Sequence, residues 1–157
     1  MELIQNEFEQ LLLNFLMIRK PNSSTEWNNY YNLRYKVLRA PWNQPLGSER
    51  NEGDETAEHF SFFENELIIG VGRLDFMPKN TCQIRFMAVD ENQQGKGIGR
   101  KLMLHMEEIA KEQGSNEIIL HAREIAVPFY QKLDYSIIEK SHLLFNEIQH
   151  YLMHKKI

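Results

Sequence analysis

Cysteine is almost absent from this sequence: Cys82 is the only one among 157 residues. A single thiol cannot close a disulfide within the chain, which excludes a small disulfide-stabilised secreted domain and favours a reducing, cytoplasmic location. The six histidines are scattered at spacings that fit no metal-ligand motif. We therefore expect no bound metal.

The sequence also lacks a long apolar run and an excess of basic residues. No stretch approaches the roughly 20 apolar residues that span a bilayer, and Met1 to Leu3 lack the basic flank of a signal peptide. A formal net charge of −4 argues against a nucleic-acid partner, which would require a basic face. With 42% hydrophobic residues, the chain has apolar material for one core, so we expect a single domain over residues 1–157.

The most informative motif that is present is a glycine-rich run from Gln94 to Arg100. It follows the strand-like stretch Ile84–Val89 and leads into residues with helical periodicity. A Walker loop would have Ser or Thr after Lys96, and the glycine spacing does not match the dinucleotide fingerprint. Alternating glycines at the start of a helix bring unpaired backbone N–H groups close to a ligand, so the run predicts an anion-binding loop.

The remaining patterns predict alternating strands and helices. A short amphipathic helical extension is predicted at the N-terminus, followed by the element order β-α-β-β-β-α-β-α-β-β. A Ser23–Glu26 capping box begins the second helix, and Ala40-Pro41 ends it before a long loop. The predicted bounds are 2–13 for the extension, 16–18, 60–63, 67–74, 82–89, 118–120, 135–140 and 149–155 for strands, 125–133 for the last helix and 41–57 for the loop.

Two motifs in this order resemble a known superfamily. Gln94 to Gly99 has the form Q-x-x-G-x-G and resembles motif A of the GCN5-related N-acetyltransferases (GNAT). Ala126 to Tyr135 resembles the same superfamily's A-x-x-[FL]-Y-x-K-x-G-[FY] signature. Asp134 replaces the usual glycine there, which demands a left-handed or turn conformation of an aspartate. The resemblance implies an α+β fold, with a mixed, mostly antiparallel central sheet flanked by helices.

The resemblance also implies acetyl-coenzyme A as co-substrate. In the superfamily the loop amides hold the pyrophosphate of this molecule. The implied cofactor-binding residues are Met87, Ala88, Val89, Gln94, Gly95, Lys96, Gly97, Ile98, Gly99, Arg100 and Ala126.

A narrower resemblance, to glyphosate N-acetyltransferase-like enzymes, runs from about Asn32 to the C-terminus. It is carried by the segments 33–39, 83–88, 122–123 and 150–155. It implies that Arg39, Arg85 and Arg123 bind the anionic groups of a small acceptor amine. It further implies that His150 takes the proton of the amine and that Tyr130 protonates the departing thiolate. The loop after Trp42 matches little beyond residues 43–45, which leaves the identity of the acceptor open.

General chemistry agrees with this assignment. An alkylammonium has a pKa near 10, so acyl transfer at neutral pH requires a base. Histidine is suited to this role, and nearby arginines would lower its pKa and keep it neutral. Backbone N–H groups of a distorted strand at residues 86–89 could stabilise the oxyanion.

Each assignment has a structural alternative. Arg39 could be a helix-end cation, Arg85 a surface residue and Arg123 the partner of Glu124. Tyr130 could be a core aromatic, and Glu55 or Glu58 could supply the base instead of His150. At the level of function, the alternatives are an acetyltransferase acting on a peptide or protein amine, and a coenzyme A-binding module without catalysis. The sequence leaves both a monomer and a homodimer open.

Overall fold

A computed structural model describes the chain from Met1 to Ile157, with the backbone alone described over residues 10–16. The helices are α1 (Glu2–Met17), α2 (Ser24–Leu38), α3 (Ile98–Glu112) and α4 (Val127–Gln131). The strands are β1 (Ile18–Arg19), β2 (Glu58–Glu64), β3 (Leu67–Met77), β4 (Thr81–Val89), β5 (Glu117–Arg123), β6 (Ser136–Leu144) and β7 (Ile148–Lys156). Single 3-10 turns occupy Ala40–Trp42, Glu52–Glu55, Glu91–Gln93 and Glu124–Ala126.

The strands form one mixed sheet in the order β1-β2-β3-β4-β5-β7-β6. Strand β4 is parallel to β5, whereas the pairs β1–β2, β5–β7 and β6–β7 are antiparallel. The predicted α+β fold with a mostly antiparallel sheet and flanking helices is therefore confirmed. Among the described residues, no helix is long and apolar enough to cross a membrane.

Helix α1 is longer than predicted. It continues to Met17 instead of ending at residue 13, so the first strand contains only Ile18 and Arg19 rather than residues 16–18. The run of Leu and Met between residues 11 and 17 favours helix, and this propensity extends the element. The described apolar side chains Ile4 and Phe8 are 72% and 65% exposed. Helical spacing predicts Leu11 and Phe15 on the same face as Ile4 and Phe8, and both lie outside the residues whose side chains are described.

Helix α2 begins at the predicted cap. The Ser23 hydroxyl accepts the Glu26 N–H at 3.2 Å. The Glu26 carboxylate does not complete the capping box, because it accepts the Asn22 N–H at 2.8 Å and pairs with Arg19 at 2.7 Å. The helix ends at Leu38, before the predicted stop at Pro41. The predicted loop over 41–57 contains two short 3-10 turns.

The chain divides into two compact units, and strands β3 and β4 contribute to both. The first unit comprises residues 1–73 and 86–106. Gly70 and Gly72 on β3 allow α3 to pack closely on the sheet. A Cβ on Gly70 would lie 2.8 Å from Leu102, and one on Gly72 would lie 2.8 Å from Met106. The core of this unit includes Tyr30, Leu33, Val37, Val71 and Ala88. The expected single domain over 1–157 stays a prediction.

The second unit comprises residues 74–85 and 107–157. Strand β6 stands last in the sheet order, and its pairing with β7 shifts register twice, between Ile137 and Glu139 and between Lys140 and Leu143. Asp134 has φ +70, which confirms the predicted left-handed conformation. The core of this unit includes Cys82, Ile118, Leu120, Leu133, Tyr135 and Met153.

Candidate active site

The glycine-rich loop of the first unit presents its backbone openly. Gly95 and Gly97 both have φ +79, and a Cβ on either would meet no atom within 4 Å. Helix α3 begins immediately afterwards at Ile98, and the Lys101 N–H donates to the Gly97 carbonyl at 3.0 Å. The N–H groups that precede this bond belong to the positive end of a helix. An open glycine turn at this position fits the pyrophosphate of a coenzyme A molecule.

Local hydrogen bonds fix the approach to this loop. The Asp90 N–H donates to the Ile69 carbonyl at 2.9 Å, while its carboxylate accepts the Asn92 N–H at 3.0 Å. The Lys96 ammonium lies 3.0 Å from the Gln93 side-chain oxygen, and the Gln94 amide donates to the Val89 carbonyl at 3.4 Å. The loop is thus tied to the end of β4. Ile98 is buried, Gly99 is half-buried and Arg100 is exposed.

Strand β4 is distorted where the sequence predicts it. Phe86 has φ +53, a strained value for a bulky residue, and this confirms an irregular strand at 86–89. Its ring lies beside three guanidinium groups, at 4.3 Å from Arg34, 5.1 Å from Arg73 and 5.7 Å from Arg39. After this kink Ala88 is buried, whereas Met87 and Val89 are half-buried.

Two fully buried arginines share one carboxylate in the first unit. Arg34 and Arg73 lie 2.8 Å and 2.9 Å from the same oxygen of Asp54. Burial alone would raise the pKa of Asp54, but hydrogen bonds from Arg34, the Asn51 N–H and Arg73 together lower it. Sequence reasoning missed this network. The available signal was one charged residue within each of two apolar patterns. Arg34 interrupts the apolar stripe of α2, and Arg73 interrupts the apolar strand β3.

Arg39 belongs to the first unit and anchors a loop. It follows α2, and its guanidinium donates to the Ser48 carbonyl at 3.0 Å and to the Leu38 carbonyl at 2.8 Å. These bonds connect the end of the helix to the segment over 41–57. Arg85 and Arg123, the other two predicted acceptor-binding arginines, belong to the second unit.

Arg123 and His150 occupy paired strand positions in the second unit. They stand opposite each other in the antiparallel ladder of β5 and β7. His150 is 7% exposed, and its Nδ1 lies 3.0 Å from the Ile148 carbonyl. A bond to a carbonyl requires the proton on Nδ1, which leaves the lone pair on Nε2. Burial lowers the pKa of His150, and the charges of His142, Arg123 and His121 lower it further, against the opposing effect of the Ile148 carbonyl.

Tyr130 lies near Arg123 in the same unit. It is buried, and its ring packs edge-on against Phe129 and Tyr135 at 5.0 Å and 5.9 Å. Burial raises the pKa of Tyr130 to about 12, although the charge of Arg123 acts in the opposite direction. The hydroxyl is consequently protonated at neutral pH and can act as a donor. Ala126 ends the short turn that precedes α4.

Two unpredicted histidines extend this cluster. The ring of His142 stacks on that of His150, with centroids 4.3 Å apart and an interplanar angle of 19°. His121 lies 5.2 Å from His142 and 3.0 Å from the Ser141 hydroxyl. Burial lowers the pKa of His121, and the charges of His142 and Arg85 lower it further. The Arg85 guanidinium lies 3.8 Å from the Asp75 carboxylate. Within the part of the chain that is described, no three His, Cys, Asp or Glu side chains are placed to hold a metal.

Comparison with known proteins gives matches over most of the chain. The model of the acetyltransferase (GNAT) family matches residues 27–135. The uncharacterized N-acetyltransferase YjcF of Bacillus subtilis strain 168 is 28% identical over 123 residues, which cover 78% of this chain and 87% of YjcF. The glucosamine 6-phosphate N-acetyltransferase of Trypanosoma brucei brucei is 32% identical over 79 residues, covering 46% and 54% of the two chains. A Bacillus subtilis acetyltransferase crystallised in complex with CoA matches with a TM-score of 0.70 at 20% identity, covering 89% and 97%.

Proposed function

The chain belongs to the acetyltransferase (GNAT) family, and we propose that this N-acetyltransferase acetylates a small amine that also carries a carboxylate, phosphate or phosphonate group. The observation that carries the proposal is the cross-strand pairing of Arg123 with His150. In our proposal this pairing brings a guanidinium that would bind the anion of the acceptor next to the residue that would act as the base. This acceptor class agrees with the glyphosate N-acetyltransferase-like resemblance, which is part of the proposal.

Acetyl-coenzyme A is the co-substrate, and its thioester supplies both the acetyl group and the leaving thiolate. We assign its pyrophosphate to the backbone N–H groups of Gly95 to Gly99, because the two left-handed glycines leave that backbone uncovered. Lys96 and Arg100, both exposed, add positive charge to the loop. Residues 87–89 and Ala126 complete the proposed binding set.

His150 is the proposed general base. Its lowered pKa keeps the imidazole neutral near pH 7, and its Nε2 holds the lone pair that accepts a proton from the acceptor ammonium. The neutral amine attacks the thioester carbon, forming the C–N bond. Backbone N–H groups after Phe86 stabilise the oxyanion in this assignment. The C–S bond then breaks, and the protonated Tyr130 hydroxyl gives its proton to the thiolate.

The arginines are proposed to select the acceptor. Arg123 acts electrostatically on His150, and Arg85 acts on the neighbouring His121, both in the second unit. Arg39 is retained as a third candidate, although its guanidinium donates to the backbone carbonyls of Leu38 and Ser48. Guanidinium groups match carboxylate and phosphoryl oxygens in bidentate pairs. The name of the trypanosomal relative describes an amino sugar phosphate as its acceptor, which combines an amine with an anion.

A different acceptor follows from another observation. The alternative acceptor is a peptide or protein amine, with the arginines serving only structural roles, as the bonds of Arg39 illustrate. A cytoplasmic location completes our proposal and rests on the single buried thiol of Cys82.

Steady-state kinetics with matched acceptors tests the proposal. We expect kcat/KM for an amino acid or aminophosphonate to exceed that of its uncharged analogue by about 10- to 100-fold, the value of one or two charge-assisted hydrogen bonds. Arg123→Lys should raise KM for the anionic acceptor and leave the analogue unaffected, so the two losses are not additive. Arg19→Lys, at an exposed ion pair with Glu26, is the control. Equal kcat/KM for both acceptors would contradict the proposal and favour a peptide amine.

A further inference from the structure

His142, whose ring stacks on that of His150, has no role in the proposed reaction. His142 lies on β6 and is exposed, whereas His150 lies on β7 and is buried. Their ring planes are nearly parallel, at 19°, and their centroids are 4.3 Å apart. Stacking of this geometry restricts ring rotation, because one face of each ring is covered by the other ring. His142 therefore covers one face of the proposed base.

The Nδ1 bond and the stack together restrain the His150 ring. The Ile148 carbonyl accepts the Nδ1 proton at 3.0 Å and fixes one edge of the imidazole. A single hydrogen bond leaves the ring free to tilt about that contact. The flat face of His142 opposes this tilt. A hydrogen bond on one edge and a stacked ring on one face together define the direction of Nε2.

The stack also places two titratable rings close together. Like charges at about 4 Å repel each other even in a solvated environment. The charged or titratable groups acting on His150 are His121 and Arg123 on β5 and His142 on β6, while Arg85 on β4 acts on His121. All of them are cationic when protonated. A proton on His150 is consequently opposed from two neighbouring strands.

Resting on the assignment of His150 as the base, we propose that His142 is a positioning residue whose ring holds the His150 imidazole in place and whose charge, when present, opposes a proton on His150. The two contacts that restrain the His150 ring come from the Ile148 carbonyl on its own strand β7 and from His142 on the neighbouring strand β6.

The test separates the ring from its charge. His142→Phe retains a flat ring and removes the charge, His142→Gln removes both the charge and the aromatic face, and His142→Ala removes the side chain. His105→Phe is the control, because His105 lies on α3 and contacts Phe60. Two quantities are measured for each variant: the titration midpoint of His150 by NMR of its ring protons, and the acid limb of kcat/KM.

We expect the His150 midpoint to rise by roughly half to one pH unit in His142→Phe and His142→Gln. The acid limb of kcat/KM should move upward by the same amount. At the pH of maximal activity, His142→Phe should stay within about twofold of the parent, whereas His142→Ala should lose about tenfold in kcat because the ring is no longer held. His105→Phe should change neither quantity.

The outcomes distinguish this inference from the proposed function. A raised NMR midpoint without movement of the acid limb would support the coupling of the two rings and overturn His150 as the base. An unchanged midpoint in both His142→Phe and His142→Gln would overturn the electrostatic part of the inference. Equal kcat for His142→Ala and His142→Phe would overturn the positioning part.

Discussion

The position of one proton on His150 decides whether this residue can act as the proposed base. Its Nδ1 donates to the Ile148 carbonyl, so Nε2 is the only ring atom that can accept a proton. Burial then disfavours the charged form. The residue therefore combines a fixed tautomer with a lowered pKa, which are the two properties required of a base that works at neutral pH.

Replacing His150 tests this assignment directly. His150→Ala should lower kcat by about 10²- to 10⁴-fold, the range for a positioned acid-base group, with little change in the affinity for acetyl-coenzyme A. In the parent enzyme, activity should be lost as the pH falls through the lowered pKa of His150, below the ordinary histidine value of about 6.5. Stopped-time thiol release from pH 5 to 9 measures both effects. Full turnover of the variant over this range would point to Glu55, Glu58 or water.

At the scale of the element, the glycine loop and the start of helix α3 form the proposed anion-binding site. Gly97 precedes the helix and Gly114 follows it, and both have positive φ, at +79 and +92. A Cβ on either residue would meet no atom within 4 Å. The two glycines therefore share a left-handed backbone conformation, but Gly97 lies at the N-terminal end of the helix and Gly114 at the C-terminal end.

Valine substitution at these two glycines separates binding from backbone strain. Gly97→Val should weaken acetyl-coenzyme A binding by at least about tenfold, because the side chain occupies the space above the loop amides and the strained φ moves them. Gly114→Val should cost about 1 to 2 kcal/mol of stability through the same strain and leave the affinity unchanged. Isothermal titration calorimetry measures the affinity and thermal unfolding the stability. Unchanged binding in a folded Gly97→Val protein would remove the pyrophosphate assignment.

Local signals in the sequence predicted where helices begin better than they predicted which side chains contact each other. Ser23 marked the start of α2, and the glycine run marked the start of α3, because caps and turns depend on neighbouring residues. The carboxylate of Glu26 was assigned to the cap, but in the structure it binds Arg19, which lies seven positions earlier. The end of α1 was also misplaced, since apolar periodicity does not distinguish a helix end from a short strand.

The same limit applies to the candidate site. Sequence resemblance identified Arg123, Tyr130 and His150, which the structure places in one unit. It did not identify His142 or the pairing of Arg34 with Asp54. Those contacts join residues that are distant along the chain, so no local pattern contains them. Only the presence of a charge within an apolar stripe indicated that Arg34 required a buried partner.

At the scale of the whole molecule, we expect the stability of the fold to depend strongly on the carboxylate of Asp54. Asp54 balances two fully buried guanidinium groups, and Phe86 lies against both. Asp54→Asn keeps the shape but leaves two buried cations without their shared anion, which should cost about 3–5 kcal/mol of unfolding free energy. Glu26→Gln is the control, because its exposed pair with Arg19 should contribute no more than about 1 kcal/mol. Urea denaturation of both variants gives the comparison. Equal destabilisation would show that the buried pair has no special weight.

The sign of the acid dependence follows from the lowered pKa of Asp54. Its contribution to stability is fully present above the ordinary aspartate pKa of about 3.9 and is lost as the pH falls through its lower folded value. Folding should therefore weaken below about pH 4 in the parent protein. In Asp54→Asn this part of the acid dependence should be missing, because no proton is taken up at that position.

The irregular pairing of β6 has a consequence for the behaviour of the protein in concentrated solution. This last strand of the sheet exposes Ile137, Ile138 and Leu143, at 43%, 49% and 52%. A straight apolar edge would template the addition of strands from other molecules and lead to polymerisation. The two register shifts interrupt the regular spacing of its backbone groups, and Glu139 and Lys140 place charges between them. We therefore expect the register shifts and charges of β6 to disfavour fibre growth at this edge of the sheet.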